Sequence, residues 1–294
     1  MIFAFILNFS VVNAQRNYQA FDILNDSIIV PPNGILIGAN LFMDDSEVMN
    51  CHYLEYLHFL AQDSADQVLI NAYPDTNIFE TRHLKHLLRQ KGVYYKRKGG
   101  KHVPMRLLLH DDKVHEPEMT HHWWNYFSYH GTKHHPVVGI SYEQAVAYCK
   151  WRSVFVTRLF NESLKQKNKY SSFENKKVAF QFSLPDEKMW QTAIQNQYEK
   201  SLKDTLIIIH NKCTRSNFKN EPLSAFSNTP NALEFYNLIG NVAEMMAEKG
   251  KCKGGSYVHS FSESDPKTTI MYSKPERWLG FRCACLVIVQ ENTK

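Results

Sequence analysis

Residues 136–153 read PVVGISYEQAVAYCKWRS. Pro136 leads an apolar segment, and Ser141 then stands where a helix can begin. A serine hydroxyl accepts from the backbone of the first turn, and Gln144 three residues later can reach back to complete a capping box. Beyond the cap, Ala145, Tyr148, Trp151 or Arg152, Phe155 and Leu159 recur at helical spacing. The stretch predicts a capped amphipathic helix with Cys149 on its inner side, next to Tyr148.

Working outward, residues 27–45 (SIIVPPNGILIGANLFMDD) alternate apolar runs with Pro and Gly and predict short strands and turns. From Ser46 onward, Val48, Tyr53, Leu54, Leu57 and Leu60 fit a helix over 46–62. Downstream, FSLPDEKMWQTAI starts another helix. Asp186 lies at its N-terminus, and Trp190, Ala193 and Ile194 form its apolar face. From Thr214 to Asp265 short segments and turn residues dominate. GFRCACLVIV then reads as a closing strand. With no repeat and no low-complexity linker, a single domain over 15–294 is expected.

Hydrophobic residues make up 44% of the chain and aromatics 13%, enough for a large buried core, and 21% charged residues fit a globular protein. Net charge is +5 with histidine neutral, a mild excess that does not argue for nucleic acid. The basic run over 82–106, with Tyr94 and Tyr95 inside it, reads as a solvated helix followed by a Gly99-Gly100 turn rather than a nucleic-acid grip. His121, His122, His130, His134 and His135 crowd an aromatic segment. Adjacent pairs converge poorly on one ion and no HExxH pattern is present, so an aromatic surface loop is expected.

Residues 1–14 (MIFAFILNFSVVNA) are apolar, and Val12 and Ala14 sit at −3 and −1 of a cleavage site before Gln15. This reads as a signal peptide without its basic start, and implies export. No other run approaches a membrane span. The cysteines are Cys51, Cys149, Cys213, Cys252, Cys283 and Cys285. Export would allow them to pair. Cys283 and Cys285 are one residue apart and no CxxC accompanies them, so a zinc site is not expected.

Four segments fall in one order: PVVGISYEQAVAYCKWRS, FSLPDEKMW, NLIGNVAEM, and KGGSY with GFRCA behind it. Together they resemble the formylglycine-generating enzyme family, the sulfatase-modifying-factor domain, whose members read PVxxVSWxxAxAYCxW, RLPTEAEWE, GNVWEW, RGGSW and GFRCA. The likeness covers about residues 27–288. It implies an α+β fold related to C-type lectins, with little regular secondary structure. It also implies a disulfide between Cys149 and Cys283. In NLIGNVAE the residues themselves offer a hard-cation turn or one held by side-chain hydrogen bonds. The resemblance implies structural calcium there, on the Asn237 side chain, the Gly240 and Val242 carbonyls and the Glu244 carboxylate. The family's tryptophan before that glutamate is Ala243 here.

Active members carry two cysteines just after GGS(W/Y), where they bind copper and oxidise a substrate cysteine. The matching positions here are His259 and Ser264. Soft Cu(I) selects thiolates, so no copper and no formylglycine production are expected. His259, Ser262 and Glu263 include triad residue types, but three residues within five positions rarely converge, and no GxSxG elbow exists.

The leading expectation is therefore a non-catalytic binding or scaffold protein of the bacterial envelope, exported to the periplasm or outer membrane and working with other envelope proteins. PVVGISYEQAVAYCKWRS, SVFVTRLFNESL and MDDSEVMN are similar to the K- and J-type proteins of gliding motility and type IX secretion. Those are longer and carry a lipobox cysteine, which this start lacks. Two other classes remain open. One is a metal-dependent oxidase-like enzyme using His259 with nearby histidines. The other is a lectin-like glycan or peptide binder lined by Trp123, Trp124, Tyr126 and Phe127.

Overall fold

The computed structural model describes residues 21–24, 28–64, 66–75, 94–96, 102–104, 126–127, 130–164, 172–173, 176–195 and 221–291. The proposed leader, most of the basic run, His121, His122, Trp123, Trp124 and Cys213 lie outside them.

The centre is a four-stranded antiparallel sheet in the order β3-β4-β12-β7, where β3 is Gly34–Gly38, β4 is Leu41–Asp44, β7 is Lys176–Ser183 and β12 is Ala284–Glu291. GFRCACLVIV thus ends in the expected strand, and that strand lies between β4 and β7. Cys285 pairs with Phe42 on one side and Phe182 on the other, which sets the register. Strand residues alternate between faces. This row therefore faces one core, while Met43 and Ile35, one residue along, face the opposite side.

The first face is covered by α1 (Asn50–Asp63) and α3 (Tyr142–Leu164), with the short α2 (Asp66–Ala72) beside them. Tyr53 stacks on Tyr148 at 5.6 Å, and Tyr56 meets Tyr148 and Trp151 at 5.8 and 5.3 Å. The second face carries a smaller cluster of Met43, Ile35, Trp190, Ile194, Phe235 and Leu238, brought in by α4 (Glu187–Gln195) and the turn at 235–246. A second sheet, β10-β9-β8-β11, joins Ile270–Met271, Lys251–Lys253, Ala243–Met245 and Leu279–Gly280. Two antiparallel pairs, β1-β2 (Asp22–Leu24, Ile28–Val30) and β5-β6 (Tyr94–Lys96, His102–Pro104), complete the strands among the described residues. Among the described residues, no helix is long and apolar enough to cross a membrane.

The capping box of α3 forms as its sequence predicts. The Ser141 N–H donates to Gln144 Oε1 at 2.7 Å, and the Gln144 N–H donates to Ser141 Oγ at 3.2 Å. Asp186 caps α4 through the Met189 N–H at 2.7 Å, and Trp190, Ala193 and Ile194 are buried. Two boundaries differ from expectation. The helix expected from Ser46 starts at Asn50, because residues 46–49 are used as extended chain. The Val48 N–H donates to the Phe281 carbonyl and its own carbonyl accepts from Val137, both at 2.8 Å, while Met49 bridges Pro136. The inner face of α3 also shifts. Arg152, Val156 and Phe160 are buried, and Leu159 is exposed. Arg152 turns inward to Asp44, and Phe155 stacks on Trp151 along the flank at 5.0 Å.

Helix α3 also seals the free edge of β7. The Phe182 N–H donates to Ser153 Oγ at 2.8 Å, and the Phe180 N–H to Thr157 Oγ1 at 2.9 Å. An open strand edge invites pairing with another chain, and these hydroxyls take the place of a fifth strand. Ser153→Ala and Thr157→Val should each lower stability by about 1–2 kcal/mol, the cost of an N–H left without its partner. Urea unfolding of the two variants checks this, and unchanged midpoints would show that the hydroxyls carry no such load.

Candidate functional site

Two of the motifs meet in one place. After β9 the chain turns through Gly254 and Gly255, whose φ values of 86° and 67° are left-handed. A Cβ on Gly254 would stand 2.5 Å from the Leu238 carbonyl oxygen, and one on Gly255 would stand 2.8 Å from the Ser264 Cα. Only glycine lets this turn lie flat between the 238 and 264 segments. It is stapled to NLIGNVAE by Gly240 N–H to Gly254 O at 2.8 Å and Tyr257 N–H to Asn241 O at 3.0 Å.

Lys253, just before the glycines, is buried, and the sequence reading did not single it out. Its ammonium pairs with Glu187 at 2.8 Å and lies 3.4 Å from the carbonyls of both Pro266 and Lys267. It anchors the far end of the loop that carries His259 and Ser264.

Within that loop each candidate side chain is locally engaged. His259 Nδ1 lies 2.6 Å from Ser256 Oγ, and its ring meets the edge of Trp278 at 4.7 Å. Burial holds this imidazole below its ordinary value, with Glu263 opposing. Ser264 donates to the Ser260 carbonyl at 3.0 Å. Glu263 accepts from the Ser260 N–H at 2.8 Å and hydroxyl at 2.6 Å, which holds its carboxyl below the usual range. Ser262 Oγ contacts Ser260 Oγ at 3.2 Å. The hydrogen bonds of Ser262 and Glu263 thus converge on Ser260, not on a relay through His259. Ser256, the hydroxyl beside His259, is 1% exposed and offers no surface to a substrate.

Beneath the two turns is a sealed ionic network. Arg282 and Glu244 are both 0% exposed and form a two-pronged pair, Nε to Oε2 at 2.6 Å and Nη2 to Oε1 at 2.5 Å. Glu47 lies beside them and takes the Asn241 amide at 2.9 Å and the Asn237 amide at 3.3 Å. Those amides also donate to the Leu223 and Ala225 carbonyls, so they tie the 221–228 segment to the core. A second buried pair, Arg152 with Asp44 at 2.5 and 3.0 Å, continues the network toward α3.

Calcium takes several oxygens with lone pairs free to converge on it. Glu244 has both oxygens on Arg282. Asn237 Oδ1 accepts from the Asn228 amide at 2.7 Å. Of the set expected from the resemblance, Asn237, Gly240, Val242 and Glu244, the two side chains are thus already engaged within the protein. Among the described residues, no three His, Cys, Asp or Glu side chains gather as metal ligands. Cys149 and Cys283 are brought together, their sulfurs 3.6 Å apart as buried thiols, and Cys51, Cys252 and Cys285 are also thiols. Tyr126 and Phe127 are core residues, 0% and 2% exposed, and line no surface. Sequence reading missed Glu47 and Lys253. No local signal marks them: Glu47 follows Asp44, Asp45 and Ser46, and Lys253 stands in KCKGG, so neither charge looks buried from its neighbours.

The sequence matches the Sulfatase-modifying factor enzyme 1-like domain over residues 12–286, and the chain belongs to that family. The fold is the family's α+β, C-type-lectin-like arrangement. Comparison with curated proteins gave no match. Among solved structures, the chain is similar to Treponema denticola variable protein 1, at 14% identity and TM-score 0.44 over 84% of each chain. It is similar to PvdO from Pseudomonas aeruginosa, at 14% identity and TM-score 0.37, over 69% of this chain and 76% of that one. CarF is similar at 16% identity and TM-score 0.32, over 88% and 87%.

The network has a pH signature. Burial pushes the Glu47 carboxyl from its ordinary 4.5 up to about 8, against the pull of Arg282 and with a further push from Glu244. Below pH 4.5 the folded and unfolded chains both hold this proton. Between there and about 8 only the folded chain keeps it, so stability falls as pH rises through that window. The loss is on the order of 4 kcal/mol by the upper end. Glu47→Gln removes the titration and keeps the volume. Urea midpoints at pH 5 and pH 8 should lie closer together in the variant than in the native chain. Equal slopes would place the pH dependence on other groups.

Proposed function

We propose that this chain is a non-catalytic binding or scaffold protein of the bacterial cell envelope, exported and associated with the type IX secretion or gliding-motility apparatus. The observation that carries the first half is the chemistry at the two positions where active relatives hold thiolates. His259 rests on Ser256 and Trp278, and Ser264 bonds the Ser260 carbonyl while its Cα closes on Gly255. An imidazole and a hydroxyl so engaged do not make the soft pair that Cu(I) selects.

The second half rests on the likeness of residues 136–153 and of SVFVTRLFNESL to the K- and J-type envelope proteins. The test is recovery from the native envelope under mild detergent, with the copurifying chains identified by mass spectrometry. A stoichiometric set of secretion or motility components is expected. A free monomer would overturn the scaffold reading. Incubation of the copper-loaded protein with a cysteine peptide tests the other half, and conversion to formylglycine would refute it.

Export brings an oxidising compartment. There Cys149 and Cys283, 134 residues apart in sequence and already in contact, would close into the bridge that the family pattern implies. A bridge over so long a loop is worth about 2–5 kcal/mol. Peptide mapping of envelope-derived protein without reduction should find the two linked. Their recovery as free thiols would count against both export and the bridge.

A further inference from the structure

We infer that residues 130–136 form an acid-sensitive strap: neutral His135 keeps it closed over the start of helix α1, and protonation of His135 releases it together with the 222–226 segment that it holds.

Helix α1 begins with no side-chain cap at Met49 and no acidic residue in its first turn. Its leading N–H groups are met by the strap instead. The Asn50 N–H donates to the His135 carbonyl at 2.9 Å, and the Cys51 N–H to the Lys133 carbonyl at 3.0 Å. The Asn50 side-chain amide donates to the carbonyls of Tyr126 at 3.1 Å and Thr132 at 3.0 Å. The strap holds the next segment in turn, because the Ala225 N–H donates to the His134 carbonyl at 2.9 Å.

His135 is the titratable member at the centre. Its ring makes a T-shaped contact with Tyr126 at 5.8 Å, and its Nδ1 is buried with no hydrogen-bond partner. A neutral imidazole can leave one nitrogen as a bare lone pair, whereas a charged one donates from both. The charged ring would bury an N–H with nothing to accept it. It would also place a cation beside the positive end of α1. Burial holds this imidazole below its ordinary 6.5; the Pro222 carbonyl opposes, and His134 adds to the lowering.

The packed elements bring few counter-charges. On α1, burial pushes the Cys51 thiol up to about 11 and His52 down to about 3, so both are neutral in mild acid, and Glu55 bears on Cys51. The strap itself contributes Lys133 and His134. Glu47 and Glu221 bear on the Tyr126 hydroxyl, which donates to the Pro136 carbonyl at 2.6 Å. Above 6.5 His135 is neutral in the folded and unfolded chain alike. As pH falls below 6.5 the unfolded chain takes the proton and the closed strap does not, so closure weakens. Glu47 acts in the opposite sense between 4.5 and about 8, so it cannot produce this loosening.

The test is hydrogen exchange of the native full chain at pH 7 and pH 5, resolved by residue and corrected for the intrinsic rate. The Asn50, Cys51 and Ala225 amides should lose protection at pH 5, while the Phe180 and Phe182 amides, bonded to α3, keep theirs. His135→Gln keeps a donor for the Pro222 carbonyl but cannot titrate. In it the three amides should be equally protected at both pH values. A native strap that stays protected at pH 5, or loosening that persists in His135→Gln, would overturn the inference. If that variant does not fold, an NMR titration of the native His135 ring decides. Proton uptake should coincide with loss of protection at Asn50, Cys51 and Ala225, and uptake with those amides still protected would refute the strap.

Discussion

The rest of the structure depends on a guanidinium sealed away from water. Arg282 ties the end of β4, the turn at Tyr236 and strand β8 to the last two strands, and it is 0% exposed. Removing one partner of a buried pair leaves an uncompensated charge, which costs roughly 3–5 kcal/mol, whereas the intact pair adds little net stability over an apolar substitute. What the pair supplies is arrangement. Apolar residues of equal volume would fill the same space, but they would not demand three particular carbonyls and one particular carboxylate around them.

Arg152 repeats this logic one layer away. It holds both oxygens of Asp44, donates to the Pro32 carbonyl at 3.0 Å, and lies 4.2 Å from the centre of the Phe182 ring. The Cys283 N–H reaches the same Asp44 carboxylate at 3.1 Å. The two arginines therefore meet at Asp44, one through its side chain and the other through its carbonyl. This links helix α3 to the turn that carries the family's signature residues. Above this layer the paired glycines let the chain approach so closely that only hydrogen and backbone fit, and Lys253 draws the far side of the loop down. The loop of His259 and Ser264 is thus held by its base and its return, whatever its side chains do.

Much of the helical framework was legible from residues 136–153 and 182–194 because caps act locally. Ser141, Gln144 and Asp186 satisfy the first turns of their own helices, and no distant residue is needed to predict it. The start of α1 was not legible in the same way. Ser46 has the right chemistry for a cap, but Val48 and Met49 are claimed by Phe281, Val137 and Pro136, partners more than 85 residues away. The face of α3 was read correctly as far as Arg152 and then lost. Helical periodicity alone cannot tell that an arginine turns inward when its carboxylate partner lies on a strand 108 residues earlier.

By itself the sequence determined the order of the family motifs, the capped helices, the closing strand and the presence of His259 and Ser264 after the paired glycines. These are local or one-dimensional properties, and the chain carries them before it folds. Tertiary structure alone decided that Glu47 joins the network as a carboxyl held near pH 8, that Lys253 is buried, and that Glu244 spends both oxygens on Arg282. The reason is physical. The state of a carboxylate depends on the water it has lost and the charge it has met, and both are set by residues far away in sequence.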